Sequence, residues 1–116
     1  FVGNQKNISP FLLKANIFML SSNKEGLPLA VVEALSFSLP IISSNISGIG
    51  ACVIEGKNGV LYQPEDKKEL ANLFCSLDKY HWEQFGDNSR KLFKSKFQFS
   101  QMQDSYINLI NELYFY

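Results

Sequence analysis

The stretch EGLPLAVVEAL, residues 25–35, determines both the predicted fold and the predicted site. Leu29 and the apolar residues that follow it recur at helical spacing, which predicts an amphipathic helix over residues 27–38. Pro28 favours the start of that helix. Glu25 lies in the turn before the helix, and Glu33 lies about one and a half turns into it, roughly 6–9 Å along the axis. One ligand could therefore contact both carboxylates.

Strand-length apolar runs alternate with helical patterns along the first half of the chain, which predicts a parallel α/β sheet. We expect a Rossmann-like three-layer fold in which helices flank the sheet. Residues 1–64 carry strand and helix units, and residues 65–116 form a helical tail. The strands are predicted at 1–3, 16–22, 40–45 and 59–63. The helices are predicted at 9–15 with Ser9 as a cap, 27–38, 65–78, 81–97 with an interruption at Gly86, and 100–116.

Composition excludes several classes of function. Eleven basic and eleven acidic residues give a net charge of zero, so no overall field favours nucleic acid. Apolar runs are too short to span a membrane, and the first residues do not resemble a signal peptide, so we expect a cytoplasmic location. Cys52 and Cys75 lack metal or redox spacing and are interpreted as buried thiols. No D-x-D pair occurs, and neither a metal nor a cofactor is expected.

The turn before the predicted helix is where a ligand is expected. Open α/β sheets bind ligands at the carboxyl ends of their strands, and residues 21–28 follow one such end. The helix directs unpaired N–H groups and its positive dipole end into this turn, which suits a phosphate. Gly26 allows a close approach of the backbone. Carboxylates pair well with vicinal hydroxyls, so Glu25 and Glu33 beside a diphosphate indicate a nucleotide sugar.

Two longer stretches carry a family resemblance. SSNKEGLPLAVVEALSFSLPIISSN (residues 21–45) and EGKNGVLYQPED (residues 55–66) resemble the C-terminal domain of retaining GT-B glycosyltransferases of the group 1 type. The E-x7-E motif of that family is present as Glu25 and Glu33. The sequence departs from the family where Ser38 replaces a usual glycine and where a usual glutamate near Ala51 or Cys52 is missing. The resemblance implies a partial nucleotide-sugar-binding domain over residues 1–116.

The resemblance also implies roles for single residues. Glu25 would contact the donor sugar as the catalytic residue, and Glu33 would bind the ribose diol. Backbone N–H groups around Gly26, Leu27 and Leu29 would bind the distal phosphate. Residues 1–3 would lie near the base.

The implied function is donor binding in a hexosyltransferase-like enzyme that synthesises cell-surface polysaccharide or glycolipid. The chain opens on Phe1 without a methionine, so we interpret it as part of a longer protein whose N-terminal domain binds the acceptor. The resemblance leaves room for peripheral membrane association of that complete protein. Alone, the chain is expected to be inactive and to self-associate. The alternative is a non-catalytic Rossmann-like domain that binds a phosphate ligand or a protein.

Overall fold

A computed structural model describes residues 2–24 and 26–98. Three parallel strands form one sheet, which confirms the predicted parallel sheet, and their order is β1–β2–β3. The strands are β1 (Phe18–Leu20), β2 (Ile41–Ser44) and β3 (Gly59–Tyr62), and the helices are α1 (Ser9–Lys14), α2 (Leu29–Ser36), α3 (Lys67–Cys75) and α4 (Trp82–Lys96). Short 3-10 turns cover Ile49–Ala51 and Leu77–Lys79.

Two apolar clusters cover opposite faces of the sheet and give the predicted three layers. Ile41 of β2 packs into one cluster with the buried side of α2, and its neighbour Ile42 packs into the other with Leu73 of α3. Successive strand residues point to opposite faces, so adjacent isoleucines serve both layers. No helix in the described ranges is both long and apolar enough to cross a membrane.

Helix α4 joins the two layers at the amino ends of the strands. Phe85 near its start packs into the α3 cluster, whereas Phe97 just after its end packs into the α2 cluster. The predicted interruption at Gly86 is wrong, because α4 continues through it. A Cβ atom there would lie 2.4 Å from the Ser38 carbonyl oxygen. Glycine is therefore needed for close approach of two backbones, not to break the helix.

The backbone at the end of α2 would suit glycine at position 38. Ser38 has a φ of 59°, in the left-handed region. Its N–H donates to the Leu35 carbonyl at 3.0 Å, and the Leu39 N–H donates to the Ala34 carbonyl at 3.2 Å. These two hydrogen bonds form a Schellman motif, in which glycine avoids the cost of a Cβ atom at this φ.

Several predicted boundaries at the start of the chain were wrong. Helix α2 begins at Leu29 rather than at residue 27, with Pro28 as its N-cap. Ser9 is the first residue of α1 rather than its cap, and its N–H donates to the Asn7 side chain. Residues 2–3 form no strand.

Burial differs from the prediction at one of the two cysteines. Cys52 is buried as expected, but Cys75 is exposed. Strand β1 spans three residues and leaves Met19 38% exposed. Phe74 of α3 is also exposed. The helix predicted at 100–116 lies outside the described residues.

Gly86→Ala should lower the free energy of unfolding by about 1–3 kcal/mol because the added methyl group clashes with the Ser38 carbonyl. Helix propensity alone would raise it by about 1 kcal/mol, so the sign of the change separates the two effects. Gly50→Ala is the control, since a Cβ atom at Gly50 meets nothing within 4 Å. Urea unfolding of both variants measures the difference. A stabilised Gly86→Ala variant would contradict the close approach.

Candidate functional site

Hydrogen bonds tie together the loops that follow the carboxyl ends of the three strands. Ser44 Oγ, at the end of β2, donates to the Ser22 carbonyl after β1 at 2.6 Å. The Asn45 N–H donates to the Tyr62 carbonyl at 2.7 Å, which holds the next residue against β3. Asn23 Nδ2 donates to Glu65 Oε1 at 3.2 Å and so joins the loop after β1 to the loop after β3. This edge of the sheet is therefore a connected polar surface.

The amino end of α2 opens onto that surface. The Pro28 carbonyl accepts from the Val31 and Val32 N–H groups at 2.9 and 3.2 Å. The N–H groups of Leu29 and Ala30, in the first turn, have no acceptor within the helix, as is general at helix starts. The N-cap is a proline and supplies no side-chain cap hydrogen bond. The first turn of α2 can therefore donate to an external anion.

The predicted binding residues described by the structure all lie at the surface around this end of α2. Gly26, Leu27 and Leu29 are exposed, and a Cβ atom at Gly26 would meet nothing within 4 Å. Glu33 is also exposed and lies four residues after Leu29, so the two share one side of α2. A ligand at the first turn could extend along this side to reach Glu33.

Glu25 and Phe1 lie outside the described residues. The catalytic role predicted for Glu25 and the proximity of residues 1–3 to a base therefore stay predictions.

Sequence patterns did not indicate the side chains that position the loops. Glu65 has a φ of 65° and accepts from Asn23, although nothing in its local sequence marks a contact with residues 42 positions earlier. Asn58 lies in the turn before β3. It is buried, and its side chain accepts from the Ile54 N–H at 2.7 Å and donates to the Cys52 carbonyl at 2.9 Å. That role is structural.

Two buried ionisable side chains, Tyr62 and Cys52, also belong to the packed core. Burial raises the pKa of Tyr62, and a hydrogen bond with Ser44 partly offsets that effect. Burial likewise raises the pKa of the Cys52 thiol, with a smaller opposing effect from Lys96. Both side chains are therefore neutral near pH 7, and neither supplies a charge to the site.

The family match covers the part of the chain that forms the sheet and its helices. The family described as glycosyl transferases group 1 matches residues 1–92, which include the whole sheet and the first turns of α4. The chain belongs to this family. Its fold is that of the C-terminal domain of GT-B glycosyltransferases.

Each alignment with a relative spans most of this chain but only a small part of the relative's own length. The Vi polysaccharide biosynthesis protein VipC/TviE of Salmonella typhi is 39% identical over 63% of the chain and 12% of its own length. The capsular polysaccharide biosynthesis glycosyltransferase CapM of Staphylococcus aureus is 29% identical over 75% of the chain and 23% of its own length. The structure of Anabaena HepE in complex with UDP superposes with a TM-score of 0.81 at 20% identity, over 93% of this chain and 30% of that one.

Ser44→Ala should lower the free energy of unfolding by about 1 kcal/mol because it removes a buried donor to the Ser22 carbonyl. The loop at residues 21–24 should exchange its amide hydrogens faster as a result. Ser47→Ala, an exposed change in the neighbouring loop, is the matched control. Hydrogen exchange and urea unfolding measure both effects. Identical behaviour of the two variants would show that Ser44 does not hold the loop.

Proposed function

We propose that this chain is the donor-binding part of a retaining glycosyltransferase and binds a nucleoside-diphosphate sugar at the amino end of α2. One observation carries the proposal: the first turn of α2 opens onto the carboxyl edge of a parallel sheet, in a chain of the glycosyl transferases group 1 family. Both the N–H groups and the dipole at such an end favour a diphosphate.

The proposed donor lies along one side of α2. Backbone N–H groups at Gly26, Leu27 and Leu29 would bind the distal phosphate, and Glu33 would accept hydrogen bonds from the ribose hydroxyls. An exposed carboxylate suits this role because a diol offers two donors. Glu25 would face the hydroxyls of the sugar.

In the proposed reaction, an acceptor hydroxyl forms a new bond to the anomeric carbon on the face from which the diphosphate leaves, while the bond from that carbon to the diphosphate oxygen breaks. The diphosphate departs with the electron pair of the broken bond and takes up the proton of the acceptor hydroxyl. Negative charge grows on the diphosphate, where the N–H groups of α2 stabilise it more in the transition state than in the ground state. Glu25 would stabilise positive charge on the reacting sugar.

The wider role is proposed from the names of the relatives. Two of them are named for polysaccharide biosynthesis, and we extend that role to a cell-surface polysaccharide or glycolipid here. An N-terminal acceptor domain, peripheral membrane association, hexosyl specificity and a cytoplasmic location stay predictions for the complete protein.

Leu29→Pro should weaken binding of a nucleoside diphosphate about 10-fold or more because it deletes one N–H donor to a charged group. Proline is well tolerated at the first helical position, and the Leu29 side chain is 59% exposed, so α2 should persist. Leu29→Ala is the control, since it removes the side chain but keeps the N–H. Titration calorimetry with uridine diphosphate and circular dichroism measure affinity and fold. Unchanged affinity in a folded Leu29→Pro variant would contradict the phosphate site.

Glu33→Gln and Glu25→Gln should affect different kinetic constants in the complete protein. Glu33→Gln should raise KM about 10- to 150-fold because it removes a charged acceptor from the ribose in ground and transition states alike. Glu25→Gln should mainly lower kcat, because its contact matters most as charge develops on the sugar.

Glu83→Gln is the control for these two changes, since Glu83 is exposed on α4 away from the proposed site. Steady-state kinetics with the full donor and calorimetry with uridine diphosphate separate the constants. Equal effects of both substitutions on both constants would refute the assigned roles. Intact nucleotide binding without any transfer by the complete protein would favour the non-catalytic alternative.

A further inference from the structure

A cavity of about 660 Å³ lies at the edge of the sheet opposite the proposed donor site. It is formed by the loop at residues 54–58, which leads into β3, and by one side of α4. Strand β3 has four residues, so about 13 Å of strand separates this edge from the carboxyl edge. Asn88 Nδ2 donates to the Lys57 carbonyl at 2.8 Å and holds the loop against the helix.

Among the residues that the structure describes, the ionisable side chains that line this cavity are Lys57, Lys91 and His81. No described aspartate or glutamate lines it. The chain as a whole is balanced, with eleven residues of each sign, so the cavity differs from the average surface. Basic residues in the last turn of a helix can compensate its dipole, but Lys57 lies on a loop and Lys91 lies before the last turn of α4. The charge pattern is complementary to an anion.

The wall of the cavity between these side chains is apolar. Ile54, Phe85 and Leu92 contribute it, and Ile54 is 42% exposed. Asn88 and Gln84 add neutral polar groups at the same wall. Pockets that combine an apolar lining with a few charged groups are typical of small organic ligands.

From this combination we propose that the cavity is a second binding site, for a phosphate ester that carries an apolar group. The phosphate would lie between Lys57 and Lys91, and the apolar group would lie against Phe85. A soluble ester and the headgroup region of an anionic lipid share this chemistry. The site is independent of the proposed donor site, because no residue of the α2 end lines it.

The single tryptophan of the chain allows a direct test. Trp82 contacts Phe85 edge-to-face with ring centroids 5.6 Å apart, so a ligand against Phe85 should change its fluorescence. Titration of the chain with phenyl phosphate should give a saturable change, and inorganic phosphate should bind more weakly because it lacks the apolar group. Vesicles of phosphatidylglycerol in phosphatidylcholine, compared with phosphatidylcholine alone, test the lipid source.

Combined Lys57→Gln and Lys91→Gln substitutions should weaken binding of the effective probe about 5- to 30-fold. Lys67→Gln with Lys68→Gln, two exposed changes on α3, should leave it unchanged. Saturation by phenyl phosphate alone would identify a soluble ester, and a response to anionic vesicles alone would identify a lipid. No response to either probe, or a response that the Lys57 and Lys91 changes do not reduce, would overturn the proposal.

Discussion

Parallel pairing of β1 with β2 is the constraint on which the rest of the structure depends. Two parallel neighbours require the chain to return along the sheet between them, and α2 makes that return. The amino end of α2 must therefore lie at the carboxyl edge of the strands. The first-turn N–H groups, the exposed Gly26 and the side of α2 that carries Glu33 all follow from this placement. The position of the proposed donor site is therefore determined by the topology of the sheet rather than by particular side chains.

The two edges of the sheet differ in how they are covered. At the amino edge, α4 passes so close to the end of α2 that Gly86 has no room for a side chain. At the carboxyl edge, the loops are joined by polar contacts from Ser44, Asn23 and Glu65, and the first turn of α2 stays open. The close contact of α4 with the end of α2 at one edge and the open polar surface at the other suit the proposed donor site, whose backbone N–H groups have to be held in place.

The sequence predicted the parts of the structure that follow from periodicity and turn chemistry. The alternation of apolar strands and helices was sufficient to predict the parallel sheet, and the apolar spacing after Pro28 was sufficient to predict α2. Prediction from the sequence failed where a structural feature is caused by a contact between distant residues. Gly86 was interpreted as a helix break because its clash partner, Ser38, is 48 positions away. The Asn23–Glu65 contact was missed for the same reason. The side chain of Asn58 bonds within its own loop, and no pattern indicated that it is buried. Gly26, Leu27, Leu29 and Glu33 are exposed in the structure, and their ligand contacts stay proposals.

Backbone amide chemical shifts during titration with uridine diphosphate test the central claim most directly. If the amino end of α2 binds the diphosphate, the amides of Gly26, Leu27 and Leu29 should shift most, with a smaller change at Ala30. The amides of Lys57 and Asn58, at the opposite edge, should be nearly unchanged. Saturable shifts that are confined to residues away from the first turn of α2, or no shifts at millimolar nucleotide, would contradict the account.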